Sequence, residues 1–145
     1  LGLALRHRLG GKDEGWHLKA RGESGVRELH WPLAETIPEG VVCEIEDRLG
    51  KGAVDRLGVI GTLRTQRVNA VLFNESGDSV IELADDRVEG TNELTGRRQS
   101  WREWEAELMP GANEGVLDLI ELLLIAAGAR RVRGASKIQR TMSAG

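Results

Sequence analysis

The chain has 145 residues, with 20 Lys and Arg against 23 Asp and Glu and a formal net charge of −3. That length accommodates one domain with a buried core, and the charge balance excludes the global basic field of a nonspecific nucleic-acid binder. Cys43 is the single cysteine, which excludes an internal disulfide and a cysteine-based metal site and points to a reducing, cytoplasmic compartment. Aromatics are confined to Trp16, Trp31, Trp101, Trp104 and Phe73, too few for single-strand binding by base stacking, so no specific DNA binding is expected. The most apolar stretch, 116–127, is too short to span a bilayer and carries Asp118 and Glu121.

Leu1 opens the chain without a methionine and inside a strand-like pattern, which reads as a domain lacking its N-terminal portion. Residues 3–9 form the first predicted strand, followed by the turn Gly10-Gly11-Lys12-Asp13. A second strand over 15–21 turns at Arg21-Gly22-Glu23-Ser24-Gly25 into a third over 26–33. Pro38 suits a first helical turn and starts a helix to about Arg48. A Gly-rich loop covers 49–58. The fourth strand, 61–73, is long enough to bend or carry a bulge. It passes through the hairpin loop Asn74-Glu75-Ser76-Gly77-Asp78 into a fifth over 79–88. A polar loop is expected over 90–98, then a sixth strand over 101–108, stopped by Pro110 and Gly111.

A helix over 113–127 ends at Gly128, and its apolar residues cover more than one face, so it is expected to be buried. A short basic, glycine-broken segment leads to a last helix near Ser136, a plausible N-cap. No internal repeat or second domain is visible, and 1–145 reads as one domain. Consecutive hairpins with inserted helices predict an antiparallel α+β fold. Either the apolar strand faces form a sandwich core, or the sheet closes into a barrel with helices packed outside and charge lining the lumen. The apolar helix favours the barrel.

Successive strands carry single-signed charged rows, because residues i and i+2 share a face. Arg6 and Arg8 lie two apart on the first strand, with His7 facing away. Lys19 shares a face with His17. Arg64 and Arg67 differ by three and share a face only across a bulge. Lys137 opens the last helix. Guanidinium and ammonium groups converging on one cavity would grip a chain of phosphates. Taken singly, each is as readily a solvated surface cation. The acidic rows are Glu82 with Asp86, and Glu103, Glu105 and Glu107, with Glu28 on a neighbouring strand. Like charges on one face repel unless Arg side chains or a hard cation such as Mg²⁺ or Mn²⁺ neutralise them. His7, His17 and His30 share no ligand spacing and read as structural. No Ser or Cys nucleophile arrangement and no phosphate-loop spacing is present.

The ordered series Leu5-Arg6-His7-Arg8, Gly15-Trp16-His17-Leu18-Lys19, Arg27-Glu28, Arg64-Thr65-Gln66-Arg67, Glu82-Leu83-Ala84-Asp85-Asp86-Arg87-Val88, Trp101-Arg102-Glu103-Trp104-Glu105-Ala106-Glu107-Leu108 and Ser136-Lys137 resembles the CYTH superfamily, the triphosphate tunnel metalloenzymes. The likeness covers essentially the whole chain and is nearest to actinobacterial members, often followed by a CHAD domain.

The resemblance implies an eight-stranded antiparallel tunnel, of which about six strands are present here. It implies hydrolysis of inorganic triphosphate or an organic triphosphate. It gives phosphate-binding roles to Arg6, Arg8, Lys19, Arg67, Arg64 and Lys137. Glu103 and Glu105 would be catalytic and hold Mg²⁺ or Mn²⁺, and Glu82 and Asp86 would complete the acidic strand. The alternatives are a non-catalytic polyphosphate-binding module linked to a CHAD domain and, ranked lower, an adenylate cyclase. The family's Glu-x-Glu-x-Lys first strand has no match, so this chain alone is expected to be inactive. The missing strands would come from elsewhere in the polypeptide or from a second copy in a homodimer.

Overall fold

The computed structural model describes residues 2–132 and 136–143. The expected glycine-broken segment falls partly at 133–135, outside the described residues, as does the opening Leu1. Among the described residues, six strands and three helices give an antiparallel α+β architecture. The chain divides into two compact units, Leu1–Gly58 and Val59–Gly145.

In the first unit β1 (Gly2–Arg8), β2 (Gly15–Gly22) and β3 (Gly25–Trp31) form a sheet in sequential order. Helix α1 (Glu39–Leu49) follows, and a 3₁₀ turn (Ala53–Arg56) interrupts the expected loop. Alternation puts Trp16 and Leu18 on one face of β2. Val41 and Ile45, four apart on α1, meet them with Ala53 in the unit's core. The Trp16 indole N–H donates to the Ala34 carbonyl at 3.0 Å, so the buried ring keeps its polar partner.

In the second unit β4 (Gly61–Phe73), β5 (Ser79–Asn92) and β6 (Arg98–Leu108) form the other sheet, again in sequential order. Helices α2 (Gly115–Ala126) and α3 (Lys137–Ser143) follow. The loop expected over 90–98 is instead the end of a long hairpin. Asn92 accounts for it: its side-chain oxygen accepts from the Leu94 and Thr95 N–H groups at 3.0 and 3.2 Å, and its own N–H donates to the Arg97 carbonyl at 2.9 Å. Neither the strand propensities nor the polarity of 90–98 reveals this local closure. Neither three-stranded sheet closes on itself.

Helix α3 packs on β4 and β5. Gly90 permits this approach, since a Cβ there would collide with the Thr141 side chain. Helix α2 packs against β5 and β6 but is not buried as expected. Leu119, Leu122 and Leu123 are 62, 64 and 65% exposed, and no residue of α2 is buried. A helix apolar around its circumference can press only one stripe against a sheet. The rest stays uncovered within the described residues.

Candidate functional site

On the first unit, register places Arg6 opposite His17 and His17 opposite His30, with Lys19 opposite Glu28. Arg6, Arg8 and Lys19 therefore share one face of that sheet, and Glu28 joins them. His7 turns to the other face and stacks on Trp16, with ring centroids 4.1 Å apart. His17 and His30 lie 4.5 Å apart. Their Nε2 atoms donate to the carbonyls of Asp13 at 2.8 Å and Glu14 at 3.0 Å, fixing the β1–β2 loop. Arg8 approaches Asp13 at 3.7 Å. A depression of about 280 Å³ is lined by Arg6, Asp13, His17, Glu28 and His30.

The second unit brings the acidic rows together. Arg67, Asp86 and Glu103 stand abreast on β4, β5 and β6. One step along the same face come Asn69, Ala84 and Glu105, and then Val71, Glu82 and Glu107. Asp86 is fully buried. Arg67 grips it with two parallel N–H···O bonds of 2.6 Å and reaches Glu105 at 3.4 Å. Lys137 enters from α3, with its Nζ at 3.0 Å from Asp86, 3.1 Å from Glu103 and 2.8 Å from Glu105. The Trp101 indole N–H donates to the other oxygen of Glu103. The Arg140 guanidinium lies 4.6 Å over the Trp101 ring and steadies it.

Arg64 does not join this group. The only register shift in the β4–β5 pairing lies between Leu72 and Phe73, so no bulge separates Arg64 from Arg67 and their odd spacing puts them on opposite faces.

The electrostatics follow from the bonds. The Arg67 guanidinium holds the Asp86 carboxyl below its ordinary range against the opposing effect of burial, and Lys137 adds to the lowering. The same bond raises Arg67. Burial pushes Glu103 up, but the Trp101 indole and Lys137 outweigh it and leave it lowered. Burial pushes Lys137 down, and its bonds to Glu105, Asp86 and Glu103 outweigh that and raise it. Three carboxylates thus face two cations on one patch, leaving a negative charge uncompensated among these five side chains.

The acidic trio offers one oxygen each from Asp86, Glu103 and Glu105, all within 4.8 Å of one another. This donor set fits a hard divalent cation, which takes carboxylate oxygens at about 2.0–2.2 Å in the case of Mg²⁺. The Lys137 ammonium marks the place. A single positive charge already lies within hydrogen-bond distance of all three carboxylates.

Spacing alone identifies the Glu103–Glu105 pair and the face shared by Glu82 and Asp86. It does not identify Asp86 as the centre, because that requires the register of three strands. Trp101, Thr141 and Arg140 escape sequence reasoning, since each acts through packing rather than through a motif.

No family model matches the chain, and no solved structure matches it. It is similar to two Mycobacterium tuberculosis proteins, Uncharacterized protein MT2285 of strain CDC 1551 and Uncharacterized protein Rv2226 of strain H37Rv. Each is 30% identical over 157 aligned residues, which cover 98% of this chain and 30% of the relative. The chain therefore spans about a third of the length of these relatives. No helix among the described residues is long and apolar enough to cross a membrane.

Proposed function

We propose that the chain is a CYTH-like triphosphate tunnel metalloenzyme module, a metal-dependent phosphohydrolase acting on inorganic triphosphate or an organic triphosphate. The observation that carries this reading is the acidic trio Asp86, Glu103 and Glu105 flanked on the same face by Arg67 and Lys137. Interleaved carboxylates and fixed cations are what a phosphate chain and its divalent counter-ion require together.

In this reading Asp86, Glu103 and Glu105 hold Mg²⁺ or Mn²⁺, and Glu82 adds negative potential from the same face. When bound, the cation supplies a Lewis acid for the terminal phosphoryl oxygens and lowers the pKa of a bound water. Arg67 is already oriented by Asp86 and presents its remaining N–H groups to phosphate oxygens. Lys137, once freed from the carboxylates, adds a point charge. Glu105 is half exposed and reaches Lys137 and Arg67, so in this reading it is the carboxylate that would orient a water. A closed tunnel, the phosphate roles of Arg6, Arg8 and Lys19, and a CHAD domain or second copy as partner belong to the same proposal.

The test is phosphate release from tripolyphosphate by the full-length protein with Mg²⁺ or Mn²⁺, and its loss in Glu105→Gln.

A second reading, a non-catalytic polyphosphate-binding module, draws on one specific feature. Lys137 already satisfies all three carboxylates, as a permanent structural counter-ion would. Calorimetric titration with polyphosphate separates the two, because tight binding without turnover identifies the module.

A further inference from the structure

The opposite face of the β4–β5–β6 sheet carries a second arrangement that the acidic site does not use. Register sets Thr62, Thr91 and Arg98 abreast, then Arg64, Glu89 and Ser100, then Gln66, Arg87 and Arg102. All nine are polar, and Glu89 stands at the centre with an Arg on each diagonal. Steps of about 5 Å across the strands and about 7 Å along them keep neighbouring guanidinium groups within reach of one small ligand.

Arg102 is committed. It forms two bonds to Asp85 at 2.8 and 2.6 Å and covers the Trp104 ring at 5.1 Å. Arg64 and Arg98 form no ion pair among the described residues, and both are exposed. Arg87 is exposed beside them. A cavity of about 380 Å³ opens here, lined by Thr62, Arg64, Glu89, Thr91, Arg98 and Ser100.

The geometry points to a second anion site on this face, one that takes an oligophosphate. Guanidinium groups supply paired N–H donors to phosphate oxygens, and the hydroxyls of Thr62, Thr91 and Ser100 supply neutral donors between them. Nucleic acid is the poorer fit. The one indole on this face, Trp104, has its ring covered by Arg102, so no open aromatic surface receives a base. Glu89 is the discriminating element: it repels a bound anion and keeps the site selective for ligands carrying several charges. The assignment does not depend on the acidic site, which lies on the other face and involves none of these residues.

The test is calorimetric titration of the chain with tripolyphosphate in EDTA, so that no divalent ion contributes. The wild type is expected to bind, Arg64→Gln/Arg98→Gln to weaken binding at least tenfold, and Glu89→Gln to tighten it severalfold. Removing the same charge at Lys51 and Arg56, both exposed and off that sheet, is expected to leave affinity unchanged. Circular dichroism checks that these exposed substitutions leave the fold intact. ATP in place of tripolyphosphate distinguishes a nucleotide's phosphate tail from a free oligophosphate, and either source supports the site. No binding by the wild type, equal binding by Arg64→Gln/Arg98→Gln, an equal loss in the Lys51 and Arg56 control, or preference for a single-stranded oligonucleotide overturns it.

Discussion

Each N–H of the Lys137 ammonium ends on a different carboxylate, so this side chain and a divalent cation compete for one place. An ammonium has three donors, and all three are spent on Asp86, Glu103 and Glu105. Removing the charge while keeping the stem should open the site to metal. Lys137→Met is expected to bind Mn²⁺ at least tenfold more tightly than the wild type, read by electron paramagnetic resonance of free Mn²⁺. Equal or weaker binding would mean that the ammonium does not guard the metal position.

Asp86 makes the complementary case. Its carboxyl is lowered in the folded state by Arg67 and Lys137. Its stabilisation is therefore present above the unfolded carboxyl pKa of about 3.9 and is lost as pH falls through the folded value. Lys137 is raised, so its contribution is present below about pH 10.4 and fades only as pH rises through its folded value. Melting temperature should be flat between these limits and fall on the acid side. Asp86→Asn is expected to flatten the acid limb and to cost about 3 kcal/mol near neutrality, since it breaks a buried pair. Solvent reaching the Arg67 side chain, which is 37% exposed, keeps the cost at the low end.

Among the elements, α3 matters most, because a seven-residue helix delivers the central cation. Its seat depends on a strand position without a side chain. Gly90→Val should drive α3 off β5, at a cost of about 1–3 kcal/mol from overpacking. It should also separate Lys137 from the carboxylates, so that the Mn²⁺ affinity rises as in Lys137→Met. Calorimetric unfolding and Mn²⁺ titration of this variant check both halves.

Elements also show where the sequence was legible. The six strands and their charged rows follow from period-2 patterns within a few residues, and the three helices from Pro38, the apolar run 116–125 and the Ser136 cap. The separation of His7 from Arg6 and Arg8 and of Asp85 from Asp86 follows from alternation alone. What failed needed information beyond one element. Gly90–Arg98 reads as a loop because its turn is closed by Asn92 side-chain bonds that composition does not encode. The parting of Arg64 from Arg67, by contrast, follows from their odd spacing once β4 stays regular there. The α2 expectation failed because apolarity measures what a helix could bury, and its sheet covers only a stripe of it.

For the whole molecule, the sequence set out a basic and an acidic group of residues, and the structure mixes the two signs within each of two units. Arg6, Arg8 and Lys19 share a face of one sheet. Arg67, Asp86, Glu103 and Glu105 share a face of the other, with Lys137 joining them from α3. Their assembly by three-strand register could not be read from spacing, because no motif specifies which residues of β4, β5 and β6 stand abreast. The relatives are about three times the aligned length, so the proposed activity is to be assayed on the full-length protein.

The proposed function has the Asp86–Glu103–Glu105 face work on a phosphate chain through a divalent ion. The most direct measurement is inorganic phosphate release by the full-length protein from tripolyphosphate and from a panel of organic triphosphates. It should be made with Mg²⁺, with Mn²⁺ and with EDTA, and compared with Glu105→Gln. Release is expected to require the metal and to fall at least a hundredfold in the variant. Absence of metal-dependent release from every triphosphate, or full activity in Glu105→Gln, would contradict it.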